Sequence, residues 1–529
     1  MSGFRQSQSS LHTWSGLVVG WVLFTIFLSG TIAYWRVDLN RWMRPELGRA
    51  ETPERTVAGA VAFLNRTAPD AKSWFITVPA RGEAGAQVYW QPQPTIDAAQ
   101  RPRGPGETQA LVGADGQPIH ARDTRGGEFF YRFHFDLHYM PVVWARWLVG
   151  ACAMMMLVAI VSGIITHKKI FKDFFTFRRA KGQRSWLDGH NALAVLALPF
   201  HLMITYTGLV TLMTLYVPWA AVANYQDSSR LAAIVYPDAG DVKRSGRAAP
   251  LVDIAPLLRD AERRWGGAQA GSVSVVEAGD AAARITITAS AANGLSARQP
   301  NIAYAGATGR PVWQYPGAAG AVQAAGVMIG LHAGRFAPDI LRWFYFLSGV
   351  AGTIMVASGL VLWTVKRRER LPNPLRPHIG FRLVERLNIG VVAGMPVAMA
   401  GYLWANRLLP VDMAGRAEGE INAMFLIWAV AAVPAFLLPT KVAWQVLLGA
   451  CGVMLLALPI HDLSNDRGFY RSVADGDWRM AAVSLVLLVL GAALLTIARR
   501  LWRIGHGQVP RRARRSAPAP RMAVLEPAE

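Results

Sequence analysis

The sequence predicts a mainly α-helical, polytopic membrane bundle of about eight spans, with two small α+β modules outside the bilayer and a duplicated parallel repeat. Three observations predict it. Apolar runs of about 20 residues recur along the chain, each enough to cross a bilayer core at about 1.5 Å per residue. Hydrophobic residues make up 52% of the 529 positions and charged residues only 17%, with 19 tryptophans. Chemical landmarks recur in the same order in the two parts of the first 370 residues or so.

The first span lies within 1–35 and lacks a clear small-residue cleavage site, so it reads as a retained anchor. The first outer module covers 36–140. There TVAGAVAFLNRTAP (56–69) has helical spacing, SWFITVPA and AQVYWQPQ read as strands, and ALVGADGQPIH as strand, turn and strand. A second span follows at 141–167, a basic loop at 168–187 and a third span at 188–216. The second module, 217–338, repeats the order of the first. APLLRDAERRWG (255–266) is its helix, SVSVVEA and ARITITAS its strands, and IAYAGATGRPVWQY its turn unit. The glycines after Asp115 and Thr308 suit tight turns that need positive φ. The fourth span (339–365), a basic loop (366–387), four further spans (388–503) and a basic tail (504–529) complete the chain.

The net charge of +21 is concentrated in the segments 167–184 and 366–386 and in the tail from Arg499. Orientation follows lysine and arginine in short loops, so these segments and both termini are expected on the cytoplasmic side and the modules outside. That distribution argues against nucleic acid as a partner; the bilayer is the expected one. The acidic loop at 461–478, with Asp462, Asp466, Asp475 and Asp477, suits the outer side. Cys152 and Cys451 both fall inside spans and form no CxxC pair or disulfide framework. No Gly-rich dinucleotide or phosphate loop occurs, so no soluble flavin or nicotinamide domain is visible.

The spans repeat as well as the modules. His12 lies 17 residues before Ser29-Gly30, and His190 lies 17 before Thr207-Gly208. Leu137-His138 and Leu331-His332 follow the modules. Arg146-Trp147 and Arg342-Trp343 come next, each arginine 16 residues before a Ser-Gly, Ser162-Gly163 and Ser358-Gly359. Residues 1–168 and 186–368 therefore read as one duplicated unit, both copies starting on the same side.

LHTWSGL (11–17), FHFDLH (133–138), LDGHNALAVLALPFHLMITYTGL (187–209), the paired Gly-turn modules, and GLHAGRF through SGLVLW (330–363) resemble the PepSY-associated transmembrane proteins, also described as iron-regulated membrane proteins. The resemblance covers about 1–370. It implies a bacterial inner-membrane location. Some members of that family are ferric-siderophore reductases that carry b-type haem. The resemblance therefore implies haem b, two per chain, and a ferric siderophore or other ferric chelate as acceptor on the outer side. With no flavin domain in the chain, a cytoplasmic reductase or a membrane quinol is the expected donor.

The candidate ligands are His12, His138, His190, His201 and His332. Ionisable side chains in spans are costly and mark functional sites, and neutral imidazole is an axial ligand of haem iron. A bundle histidine can also be only a structural hydrogen-bonder. On one continuous helix, His190 and His201 share a face to within about 20° and stand about 16 Å apart. The repeat pairs His12 with His190 and His138 with His332; His201 has no mate, and its pairing with His138 or His332 as a deeper ligand stays open. His167 reads equally as a headgroup-level residue. His134 lies one turn before His138 if the helix reaches that far. Arg146 and Arg342 are interfacial anchors or clamps for haem propionates or an anionic substrate. Two other functions stay open: outer modules that bind or regulate a peptidase or other partner, and a transporter with a central polar site.

Overall fold

The structure, a computed structural model, describes residues 3–47, 51–79, 83–93, 108–167, 183–225, 228–318, 320–463 and 469–506. The expected basic loop at 168–187 (up to residue 182), the basic tail from 507 and Asp466 lie outside the described residues. Among the described residues, seven helices are long and apolar enough to cross a membrane, or eight where a bent helix pair counts as one span. The chain is a polytopic helical membrane protein with small α+β modules. It divides into two units: Met1–Phe381 with Leu408–Glu420, and Arg382–Arg407 with Ile421–Glu529.

In the first unit, span α1 (Phe4–Ala33) leads through α2 (Arg36–Trp42) to the first module: α3 (Pro53–Thr67), β1 (Ser73–Thr77), β2 (Ala86–Gln91) and β3 (Gln109–Val112). Next come α4 (Gly126–Asp136), span α5 (Val142–Thr166) and the pair α6 (Gln183–Leu196) and α7 (Leu198–Thr211). Short helices α8 (Met213–Tyr216), α9 (Trp219–Asn224) and α10 (Ser228–Val235) precede the second module. That module is α11 (Ile254–Arg264), β4 (Ala270–Val276), β5 (Arg284–Ala289), β6 (Asn301–Ala305) and β7 (Pro311–Gln314). The unit continues with α12 (Gly320–Ala333) and span α13 (Asp339–Arg368).

The two modules, expected as separate bodies, form one antiparallel seven-stranded sheet in the order β3-β2-β1-β4-β5-β6-β7. The join is β1 against β4, with Phe75 opposite Ser274. Each module alone would leave β1 or β4 as an unpaired edge, and joining the two equivalent edges removes both. Strand alternation sends Trp74, Ile76, Val273, Val275, Ile285 and Ile287 to one buried face, where α3 and α11 supply Leu64, Leu258 and Ala261. The Asp253 side chain accepts from the Ala255 N–H at 3.1 Å and starts α11. Gly116 and Gly309 take φ of +72° and +70° in the two expected turns. After Gly116 the outer strand reduces to a single bridge, Val112 to Pro118.

The module boundaries drawn from the sequence, 36–140 and 217–338, take in two helices that belong with the bundle. α4 packs along α1, and α12 along α7. Their apolar faces bury against spans rather than against the sheet. Gly126 and Gly127 let α4 start hard against α2: a β-carbon at Gly127 would lie 2.4 Å from the Arg36 carbonyl oxygen.

The expected continuous third span is broken. α6 and α7 meet at a 67° bend. Pro199, at the start of α7, cannot donate to the preceding turn. His190 and His201 therefore do not share a face of one straight helix.

In the second unit, α14 (Ile379–Val392) and α15 (Gly394–Leu408) make one span that is largely buried. It is followed by α16 (Arg416–Leu437), whose residues up to Glu420 belong to the first unit, and by α17 (Thr440–Leu463), α18 (Phe469–Ala474) and α19 (Trp478–His506). α17 and α19 approach through glycines: a β-carbon on Gly452 would sit 2.9 Å from the Gly491 carbonyl oxygen. Arg407 donates to both Asp462 oxygens, at 2.8 and 3.0 Å. No histidine lies in the interior of these spans; His461 sits in the last turn of α17.

Candidate functional site: two facing histidine pairs

Four histidines of the first unit are held by one local device, used four times. His12 Nδ1 lies 2.8 Å from the Ala159 carbonyl oxygen, and His190 Nδ1 3.0 Å from that of Met355. His134 Nδ1 lies 2.7 Å from the Ile26 carbonyl oxygen, and His332 Nδ1 3.0 Å from that of Ile204. Each of these carbonyls belongs to the residue four before a glycine: Gly163, Gly359, Gly30 and Gly208. A β-carbon on Gly163 or Gly359 would stand 3.2 or 3.1 Å from the ring of His12 or His190. On Gly30 or Gly208 it would stand 2.6 or 2.8 Å from the ring of His134 or His332. The residue before each glycine is a serine or threonine that bonds back into its own helix, as Ser29 does to Thr25 at 2.6 Å and Ser162 to Val158 at 2.7 Å.

The chemistry of the device follows directly. A carbonyl oxygen only accepts, so each Nδ1 must carry the proton. In the neutral ring, Nε2 then keeps its lone pair, the arrangement in which that nitrogen can bind a metal. The rings meet in two pairs. His12 and His190 have centroids 6.3 Å apart, and His134 and His332 6.0 Å apart. Along α1, His12 and the Ile26 carbonyl that holds His134 are separated by about 21 Å. One pair thus lies near the basic end of the bundle and the other near the sheet end.

The geometry keeps His12 with His190, as the repeat suggests, but it puts His134 rather than His138 opposite His332. α4 ends at Asp136, and Leu137 and Tyr139 take φ of +52° and +56°. That turn swings His138 out of the bundle, to 4.0 Å from Glu418. Desolvation is the main effect lowering the His138 pKa. His167 caps the end of α5 and bonds Asn191 at 2.8 Å. His201 is buried on α7, edge-on to Phe27 at 6.0 Å, and its Nε2 has no partner. Arg146 bonds Asp136 at 2.7 Å and Arg342 reaches Asp38 at 3.8 Å, so both arginines are engaged by carboxylates.

A cavity of about 820 Å³ surrounds the inner pair and reaches His201. Its size falls in the range of about 300–1,000 Å³ typical of ligand sites. Its body is apolar, with Leu17, Ile160 and Leu360 among the walls. At its mouth stand Lys366, Arg367, Arg370 and His378, and no aspartate or glutamate lines it among the described residues. The Arg367 guanidinium lies over Trp363 at 4.1 Å and over Trp14 at 5.2 Å. The basic loop at 366–387, explained from the sequence by orientation alone, thus also supplies the cationic rim of a cavity.

The sequence model described as the PepSY-associated TM region matches residues 9–366. The chain is also similar to an uncharacterized protein of Pseudomonas aeruginosa, with 27% identity over 342 residues, which is 60% of this chain and 82% of that protein. All four histidine cradles fall inside the matched region.

Proposed function

Because the chain belongs to the family of the PepSY-associated TM region, we propose that it is a b-type haem oxidoreductase of a bacterial inner membrane. It passes electrons from a cytoplasmic reductase or a quinol to ferric iron in an outer chelate such as a siderophore, and the metal leaves as Fe(II). The observation that carries this reading is the fourfold cradle, which presents two pairs of Nε2 lone pairs with their tautomers fixed.

The residues fit the group. A bare metal ion needs about four protein ligands, and no three His, Cys, Asp or Glu side chains converge to hold one among the described residues. A porphyrin brings four nitrogens of its own and asks the protein for two more ligands. The rings of each pair, with centroids 6.3 and 6.0 Å apart, would supply those two ligands. The four glycines let the imidazole rings pack directly against helix backbone. A haem held at each pair would supply one-electron redox chemistry.

The protein's own groups do the rest. His12 and His190 hold the inner site, and His134 and His332 the outer one. Lys366, Arg367 and Arg370, which line the cavity, would hold the propionates, the two arginines through guanidinium forks. His201 stands between the two levels as a buried ring that narrows the gap an electron crosses. The basic end faces the cytoplasm by the distribution of lysine and arginine, so the sheet lies outside.

The test is a dithionite-reduced minus oxidised spectrum of the detergent-purified chain, with haem counted by pyridine haemochrome. A b-type spectrum with two haems per chain is expected. No haem after haem-replete expression ends the reading and leaves the sheet as a partner-binding domain.

A further inference from the structure

The surface beside the outer pair holds more guanidinium than carboxylate. Tyr131 precedes His134 by three residues on α4, and Arg335 follows His332 by three just beyond α12. The Tyr131 ring takes the Arg36 guanidinium at 4.4 Å and the Arg335 guanidinium at 6.0 Å. Glu128 is shared by Arg36 at 3.4 Å and Arg132 at 3.8 Å. Asp136 is shared by Arg132 at 3.5 Å and Arg146 at 2.7 Å. Arg335 is exposed and has no carboxylate within 4 Å among the described residues. Four guanidiniums therefore answer to two carboxylates. Burial, and then the like charge of Arg335, lower the Arg36 pKa from its usual value. Two like charges held around one aromatic ring are costly without a counter-anion.

We propose that Arg36, Tyr131 and Arg335 form a carboxylate-recognition site for the electron acceptor, so that the protein prefers anionic ferric chelates to neutral or cationic ones. This rests on the reading of the outer pair as the exit point for electrons. The guanidinium forks match carboxylate geometry, and the shared phenol ring limits their freedom before the ligand arrives. Each turnover moves one electron, drawn from the quinol or reductase on the inner side, onto one ferric ion. The product is Fe(II) in the same chelate, and no covalent bond of the chelate changes. A haem propionate offers the same carboxylate chemistry from a resident source, and the experiment separates the two.

The probes are ferric citrate, which is anionic, and a ferric trihydroxamate without net negative charge. Binding to the full chain in detergent is measured by equilibrium dialysis with labelled iron, which needs no haem. Reoxidation of the dithionite-reduced protein is followed by stopped flow. Arg335→Glu should weaken ferric citrate binding and slow its reduction about tenfold at low salt, and by less at 0.3 M salt, where exposed charges are screened. Arg335→Lys should keep most of both, and the trihydroxamate should be unaffected by either change. Equal losses for the two chelates, or none, overturn the proposal. A shifted haem potential with unchanged chelate binding assigns the guanidinium to a propionate and overturns the acceptor assignment. Arg335-dependent citrate binding in a chain that holds no haem keeps the anion site and sinks the oxidoreductase reading instead.

Discussion

His12 and His190 sit on α1 and on α6, the 14-residue first half of the bent span, while His134 and His332 ride on α4 and α12, helices of 11 and 14 residues outside the spans. The hydrogen-bonding device is the same in both pairs, but what holds it differs. The inner rings are fixed wherever the spans pack. The outer rings depend on short helices pinned at their far ends by loops. Thr124 donates to the buried Glu420 carboxylate and accepts from the Gly126 N–H at 3.0 Å, which sets the start of α4. Glu420 is paired in turn with the fully buried Arg416. On the other copy, the segment 295–298 lies against Gly326 and Gly330 of α12. A histidine cradle can thus be copied within a chain and still acquire a separate mechanical dependence, here on the sheet side of the molecule.

The sharpest test removes the rings. Replacing His190 or His134 by Ala should each lower haem from two to one per chain by pyridine haemochrome, and the two remaining centres should differ in paramagnetic resonance. His138→Ala should leave both. Loss of a haem in His138→Ala with retention in His134→Ala would reverse the pairing. His201→Phe should also retain two haems, because both pairs are complete without it.

Next in size is the brace. Glu420→Gln leaves Arg416 buried without its counter-charge, a defect of about 3–5 kcal/mol. The expected outcome is selective: the outer haem is lost or becomes heterogeneous while the inner spectrum stays intact. Equal damage to both would mean that the two pairs share one support and would end the comparison.

The glycines give a graded version. A β-carbon would approach the ring more closely at Gly30, at 2.6 Å, than at Gly163, at 3.2 Å. Gly30→Ala should therefore cost the outer site more haem affinity than Gly163→Ala costs the inner one. A loss of about 10–100-fold is the scale for changes that disturb a ligand's supporting groups. The reverse order in a haem titration would show that the cradles relax rather than hold.

Most of the architecture was legible because membrane spans and half-buried strands impose strong periodicities. Both Gly turns and the helix and strand order of each module follow from local pattern alone. The site was half legible. His12 and His190 hold equivalent places in the repeat and face each other in the structure, although the 17 residues after His190 are broken by the 67° bend and each ring rests on a glycine of another helix. The outer pair was misread because the Leu-His dipeptides at 137–138 and 331–332 look equivalent. The end of α4 at Asp136, and the positive φ at Leu137, put the first of them outside the helix. A signal was present: four Ser/Thr-Gly pairs call for four rings, and His134 was the unassigned candidate. The join of β1 to β4 and the 67° bend before His201 were not legible, since both depend on what packs against what.

The smallest effect lies in the sheet and asks whether the modules have stability of their own. The Asp280 carboxylate accepts from the N–H groups of Ala282, Ser245 and Gly246 at 2.8, 3.0 and 2.9 Å, and from the Ser245 hydroxyl at 2.7 Å. These bonds favour the charged form, the Ala282 N–H most, and hold its pKa to about 2, below the usual value of about 3.9. A depressed carboxyl pKa stabilises the fold above the unfolded value, and that contribution is lost as pH falls through the folded one. Asp280→Asn removes the charged acceptor at every pH. The difference in thermal midpoint between wild type and Asp280→Asn should therefore be full at pH 5 and shrink as pH falls toward 2. A gap that widens on acidification would mean that the carboxylate is strained in the folded sheet rather than satisfied by it. A gap confined to the melting of the sheet, with both haem bands unmoved, would show that the modules melt apart from the bundle and that the outer pair takes its support from Thr124, Glu420 and Arg416.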